Sequence, residues 1–334
     1  MRIAFTTELP REGFRRLVER GICDWSLVIG DWSDESWREA EVLVSTFDHK
    51  VPREMIESMP NLKLIANFGA GYNNIDLDAC RERNIRVTNT PQPVIEPTAE
   101  LAFALMMAVA RRIVEFDGRV RAYPQPLPKG RGELFGVMRN LSHSLYGKTL
   151  GILGMGRIGQ ALARRAVASG MKVIYHNRRP LPTPPLKGRE QDLTIWQDEV
   201  IRQAQYVDFQ TLLQDSDYLS LNLPYTPEVH HIIGKPELGM MKRSAYLINT
   251  ARGAHVHEEA LVEALKSGII AGAALDVYEF EPSISSELLT LPNVVLSPHT
   301  GTGTWEGRIA MCENVADNII AFAEGRMDDM NIVI

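Results

Sequence analysis

The stretch KTLGILGMGRIGQALARRA (148–166) constrains this chain more than any other. An apolar run of strand character stops at a glycine, and a helical pattern follows. Gly154, Gly156 and Gly159 between them form G-x-G-x-x-G. The pattern alone is weak, but in a strand–turn–helix context it has a mechanism. Gly154 permits the tight turn, Gly156 lets the backbone approach a pyrophosphate, and Gly159 allows close helix–strand packing. The amides of Arg157 and Ile158 then face phosphates at the helix N-terminus.

Runs rich in apolar and β-branched residues recur on either side of this unit. RIAFTT (2–7), SLVIG (26–30), EVLVST (41–46), LKLIAN (62–67) and IRVTNT (85–90) precede it. MKVIYH (171–176), YLSLNLP (218–224), AYLINTA (245–251), GAALDV (272–277) and NVVLSP (293–298) follow it. Each reads as a strand. Amphipathic patterns between them, such as EGFRRLVER and PREMIESM, read as helices. This alternation predicts an α/β fold with parallel sheets. TAELAFALMMAVARR (98–112) reads as a long helix, apolar almost all round and so buried between layers or against a partner. YPQPLPKGRGELFG (123–136) reads as a loop, and the Pro-rich stretch near 180–190 as an exposed excursion. A last helix is expected around 306–324.

Length and charge narrow the class. A chain of 334 residues accommodates roughly two domains. The net charge of −6 argues against nonspecific nucleic-acid binding, which needs clustered cations. The longest apolar run, LAFALMMAVA (101–110), is too short to span a bilayer. The N-terminus lacks the apolar core of a signal peptide. Cys23, Cys80 and Cys312 lie far apart without a CxxC, as expected of free thiols in the reducing cytoplasm.

The second strand of a dinucleotide fold normally ends in a carboxylate that binds the adenosine ribose. Here Asn177, Arg178 and Arg179 follow it, with no Asp or Glu between Met171 and Pro185. Arginines attract a 2′-phosphate and bond it bidentately. The reading is therefore NADP(H), with NAD(H) as the alternative.

Three further segments sit at the C-terminal ends of expected strands: NTARG (249–253), ALDVYEFEP (274–282) and VVLSPHTGTGT (294–304). Together they supply a cation, carboxylates and an imidazole. With FGAGYNNID (68–76), GMGRIG and LNLPYTPE (221–228), this ordered set resembles the D-isomer-specific 2-hydroxyacid dehydrogenase family, closest to its glyoxylate/hydroxypyruvate reductase branch. The resemblance covers nearly the whole chain. It implies two Rossmann-like domains, the cofactor domain (99–297) inserted into a split substrate domain (1–98 and 298–334). It implies hydride transfer between a nicotinamide cofactor and a small 2-oxo or D-2-hydroxy acid.

Carried over by position, Arg252 is the substrate-binding arginine, Glu281 the carboxylate beside the acid/base, and His299 the acid/base itself. Glu279 lacks the neighbouring proline that marks Glu281. Ala70 and Gly71 supply amides for the substrate carboxylate. Thr98, Leu223, Pro224, Thr250, Ala251, Asp276 and His299 join the glycine-turn residues and Asn177–Arg179 as cofactor contacts. The resemblance also implies a homodimer, and no membrane, nucleic-acid or metal partner.

The chain departs from the family at HVH (255–257), where an acidic residue is usual at His257. With no third ligand apparent, His255 and His257 read as loop or helix-start residues rather than a metal pair. His230 and His231 read as structural. Ile95 and Pro97 stand where relatives often carry threonines. Alternatives are a phosphoglycerate dehydrogenase-like enzyme or a dinucleotide-sensing corepressor-like binding protein.

Overall fold

The computed structural model describes residues 1–23, 28–29, 35–122, 136–178 and 202–334. The loop expected at 123–136 (apart from Gly136), the excursion near 180–190 and Arg179 therefore lie outside the described residues. The chain divides into two compact units, one made of Met1–Pro97 with Thr302–Ile334, the other of Thr98–Gly301.

The first unit is built on strands β1 (Ile3–Phe5), β2 (Val28–Ile29), β3 (Val42–Thr46), β4 (Leu64–Phe68) and β5 (Arg86–Thr88). They pair in parallel in the order β2-β1-β3-β4-β5. Every residue of β3 and β4 is buried, as expected of parallel strands covered on both faces. Leu43, Ile65 and Val87 share a core with Met55 and Ile56 of helix Arg53–Ser58 and with Ala79 and Cys80 of helix Leu77–Glu82.

The C-terminal segment closes this unit. Helix Trp305–Ala323 leaves no room for a side chain at Gly13, where a Cβ would strike Cys312. Ion pairs Arg16–Asp317 and Arg20–Glu324 tie it to the first helical turns. Beyond it the backbone lies along β5, with Val333 N–H donating to Val87 O at 2.8 Å. Buried Asn318 joins the two, donating to Asn89 O and accepting from Asn331 N–H.

The second unit carries β6 (Thr149–Leu153), β7 (Lys172–His176), β8 (Gln205–Tyr206), β9 (Tyr218–Leu221), β10 (Tyr246–Asn249), β11 (Gly272–Leu275) and β12 (Val294–Leu296). Their parallel order is β12-β11-β10-β9-β6-β7-β8. The direction of winding reverses between β6 and β9. Ligands of open α/β sheets bind outside the carboxyl ends of the strands at such a switch point. Two-residue β8 was not foreseen, because it is too short for a periodic pattern.

The long helix runs Ile95–Ala110, starting three residues before Thr98. Pro97 is tolerated because the first helical turn has no amide to lose. Burial falls on Thr98, Ala99, Ala102, Leu105, Met106, Val109 and Ala110, one helical face. Within the single chain the opposite face is less covered: Leu101, Phe103, Met107 and Ala108 are only half-buried and Ala104 is exposed. The turn 298–301 clusters with the second unit rather than with the C-terminal segment, because Asp276 holds its amides (below). No helix among the described residues is long and apolar enough to cross a membrane.

Candidate active site

The glycine turn begins where β6 ends. Gly154 has φ +99°, a conformation L side chains rarely adopt, and a Cβ there would sit 2.8 Å from the Asn222 carbonyl carbon. A Cβ on Gly159 would lie 2.5 Å from Gly154 O, so glycine sets how closely helix Arg157–Ala168 approaches the strand. A Cβ on Gly156 would meet nothing within 4 Å; it faces open space beside the first helical turn. The amides of Arg157, Ile158 and Gly159 have no partner one turn earlier in the helix and point out of its N-terminus.

Asn177, at the end of β7, accepts from Met155 N–H at 2.7 Å and clamps the turn. Arg178 beside it is exposed. At the end of β9, Leu223 is half-buried and Pro224 exposed. Nearby, Asn222 Oδ1 and Thr250 Oγ1 are buried without a hydrogen-bond partner among the described residues. Buried polar atoms are rarely left unpaired. The open glycine, the free helix-end amides and these two orphaned oxygens fit a bound dinucleotide.

Strands β10, β11 and β12 carry the candidate catalytic groups at their ends. At the end of β10, buried Asn249 shapes the turn. Its Oδ1 accepts from Ala251 N–H at 3.0 Å and its Nδ2 donates to Arg252 O at 2.9 Å. Arg252 Nη1 donates to Ala251 O at 2.6 Å. Burial lowers the Arg252 pKa, opposed by the charge of Glu281.

After β11, Glu281 Oε1 accepts from Tyr278 N–H at 2.9 Å, and Glu281 Oε2 lies 2.8 Å from His299 Nδ1. Burial pushes the Glu281 carboxyl up. The His299 hydrogen bond, the Tyr278 amide and the Arg252 charge outweigh burial and hold it below its usual value. His299 follows β12 in a left-handed conformation, φ +52°. Asp276, wholly buried, holds that turn: Oδ1 accepts from Thr300 N–H and Oδ2 from Gly301 N–H, both at 2.8 Å, and its carbonyl accepts from His299 N–H. Both Asp276 oxygens thus bind protein amides, whereas the family resemblance reads this residue as a cofactor contact. Thr98, also buried, lies alongside Gly301.

Glu279 is engaged elsewhere, with His231 Nε2 at 2.5 Å and Glu258 N–H at 2.8 Å. His257 caps helix Glu258–Lys266, its Nδ1 accepting from Ala260 N–H at 3.3 Å.

In the first unit, the loop after β4 is pulled by its carbonyls. Asn67 Nδ2 donates to Gly69 O and Gly71 O, and Asn89 Nδ2 to Ala70 O. The amides of Ala70 and Gly71 donate to nothing among the described residues. Such an amide pair is a candidate for holding an anion. Asn67, Asn89 and Asn249 were not singled out in the sequence. Their one signal is Asn at or near a strand end followed by a turn, a common place for side-chain-to-backbone bonds.

Residues 103–301 match the family model described as D-isomer specific 2-hydroxyacid dehydrogenase, NAD binding domain. Glyoxylate reductase of Thermococcus litoralis is 48% identical over 294 residues, 88% of this chain and 83% of that one. Among solved structures, an NADPH-dependent glyoxylate/hydroxypyruvate reductase of Sinorhizobium meliloti, in complex with NADP and malonate, is 31% identical. Its TM-score is 0.78, over 96% of this chain and 93% of that one. D-lactate dehydrogenase of Aquifex aeolicus, complexed with NAD and lactic acid, is 29% identical, with a TM-score of 0.81 over 99% and 98%.

Proposed function

The chain belongs to the D-isomer specific 2-hydroxyacid dehydrogenase family, whose members move hydride between a nicotinamide dinucleotide and a small 2-oxo or 2-hydroxy acid, and from that premise we propose an NADPH-preferring reductase of glyoxylate and hydroxypyruvate with His299 as its acid. The observation that carries the reading is the His299–Glu281 pair, 2.8 Å apart and close to Arg252.

Reducing a 2-oxo acid requires hydride at carbon and a proton at oxygen. The dinucleotide, when bound, supplies the hydride. His299 Nε2 donates the proton as charge develops on the carbonyl oxygen, while Nδ1–H donates to Glu281. The carboxylate keeps the ring oriented and stabilises its cation. Arg252 grips the substrate carboxylate through its planar fork. Taken by itself, the first unit offers the neighbouring amides of Ala70 and Gly71, which suit a carboxylate. Asp276 acts at one remove, holding the strained turn that aims His299.

Exposed Arg178 and the missing carboxylate after β7 support NADPH over NADH. Asn177 belongs to the turn's clamp rather than to charge selection. A panel of 2-oxo acids assayed with both cofactors tests the proposal. The expected result is a higher kcat/KM with NADPH, lost in Arg178→Ala. Equal or better use of NADH would overturn the cofactor assignment. Absence of turnover on every acid would overturn the enzyme reading in favour of a dinucleotide-sensing binding protein.

A homodimer is part of the proposal. The half-buried face of helix Ile95–Ala110 continues into Ile113 and Val114, and Val137, Met138, Leu141 and Tyr146 are more than half exposed. Apolar surface of this kind is a candidate for pairing with a second copy. Light scattering at micromolar concentration tests it, and a monomer would reject it. Three cysteines, none in a disulfide, support a cytoplasmic home.

A further inference from the structure

Arg308 stands in the first turn of helix Trp305–Ala323, in the first unit. A cation is disfavoured there by the helix dipole. Its guanidinium lies 5.2 Å from the centre of the Phe47 ring and 5.6 Å from that of Phe68. It is half-buried, and burial lowers its pKa against the more distant charge of Asp48. None of its five N–H donors makes a hydrogen bond or ion pair among the described residues. The fold thus half-buries a strong multiple donor against two ring faces and gives it no acceptor among the described residues. Such an arrangement is costly unless a ligand supplies the acceptor.

The position identifies the ligand. Phe68 is the last residue of β4, and Gly69 follows it; a Cβ on Gly69 would lie 3.4 Å from Phe47 Cβ. Arg308 therefore sits on the rings that floor the loop bearing the free Ala70 and Gly71 amides. Resting on the function proposed above, we infer that Arg308 determines specificity by binding an oxygen-bearing C3 substituent of the 2-oxo acid whose carboxylate occupies those amides. The favoured substrates carry a hydroxyl or carboxylate at C3. Glyoxylate lacks C3 and pyruvate has only a methyl there.

The experiment compares kcat and KM for glyoxylate, pyruvate, hydroxypyruvate and 2-oxosuccinate in the intact protein, Arg308→Met and Arg308→Lys. In the intact protein, hydroxypyruvate or 2-oxosuccinate should exceed pyruvate in kcat/KM. Arg308→Met keeps contact with the rings but has no donor. It should lower that ratio by roughly 10-fold or more, mainly through KM, because a site built around a polar contact discriminates strongly against substrates that lack it. Arg308→Lys keeps the charge without the fork and should lower the ratio by about 3-fold or more. Whichever acid loses more identifies the preferred substituent.

A ratio unmoved in both variants, or an equal loss on pyruvate and hydroxypyruvate, would overturn the inference while leaving the reductase intact. If Arg308→Met fails to fold, judged by cofactor binding and Tm, the lysine variant decides alone. An intact protein that reduces none of the four acids would overturn the proposed function, and this inference with it.

Discussion

Two carboxylates stand two residues apart after β11, and each holds a histidine. Glu281 meets His299 at 2.8 Å, and Glu279 meets His231 at 2.5 Å. Both histidines have left-handed backbones, φ +52° and +51°. In residue type, distance and backbone the pairs are alike. They differ in what else they touch. The second oxygen of Glu279 accepts from Glu258 N–H, and the Glu258 carboxylate accepts in return from Glu279 N–H and Ser285 N–H. His231 stacks on His230 at 3.8 Å and meets His257 edge-on at 4.7 Å. The Glu279 side chain is 9% exposed, whereas that of Glu281 is 35% exposed and feels the charge of Arg252. A histidine–glutamate pair is therefore not in itself a proton-transfer device. Access and the neighbouring Arg252 charge separate the pair proposed to react from the other.

The largest expected contrast lies in the imidazoles. His299→Ala should lower kcat by about 10²-fold or more, the usual worth of a positioned general acid, while cofactor affinity survives. His231→Ala should change kcat by less than about 3-fold, since no reacting atom depends on it. Steady-state rates on glyoxylate measure both. Comparable losses in the two variants would erase the distinction.

A third histidine, held by no carboxylate, sharpens the contrast through pH. His255 is wholly buried behind Arg252. Burial lowers its pKa to about 4, with the Pro224 backbone opposing and the Arg252 charge adding to the effect. Unfolded, the imidazole titrates near 6.5, so between these values the unfolded chain binds the extra proton. The associated stability is fully present above about pH 6.5 and is lost as pH falls through about 4, some 3 kcal/mol in all. Urea unfolding at several pH values should show this slope in the intact protein and a flatter one in His255→Leu. Parallel slopes would contradict it.

The carboxylates come next. Glu281→Gln keeps the shape and removes the counter-charge, so kcat should fall by roughly 10-fold and the alkaline limb of the reduction profile should move to lower pH. Glu281 itself is held below its usual value. Its contribution is present above the unfolded value of about 4.3 and is lost as pH falls through the lowered one. Glu279→Gln should instead cost about 1–3 kcal/mol of stability, because it weakens a buried charge-assisted network. It should leave the pH–rate profile where it was. An unmoved limb in Glu281→Gln would reject its role.

Legibility in the sequence followed range. The glycine turn was readable because its mechanism lies within six residues, Gly154 to Gly159, and the strand and helix around it are periodic. The parallel α/β architecture was readable from buried runs such as β3 and β4. Choosing Glu281 over Glu279 rested on the family's proline neighbour. The physical distinction is made by His299, Glu258 and His231, which approach across 18, 21 and 48 residues and which no local pattern encodes. Asp276 was visible as a strand-end acid, but its hold on Thr300 and Gly301 spans 24 and 25 residues. Asn177 likewise reaches back 22 residues to Met155, so a residue read as a cofactor contact also fastens the turn. Helix Ile95–Ala110 read as apolar throughout because composition cannot say which face the rest of the unit covers.

The smallest expected effect concerns the motif that most resembled metal chemistry, His255-x-His257. His257 is the cap of helix Glu258–Lys266, accepting from Ala260 N–H, and its ring packs against His231. A cap's worth lies in one acceptor at the right place, so Asn, which presents an acceptor at similar reach, should substitute within about 0.5 kcal/mol. Ala removes the acceptor and should cost about 1 kcal/mol. Urea midpoints separate these values when all variants share one m-value. Turnover should not change beyond about 2-fold in either variant, because the cap and the His231 cluster touch no reacting group. A large drop in kcat for His257→Asn with unchanged stability would instead join this cluster to the His299 pair.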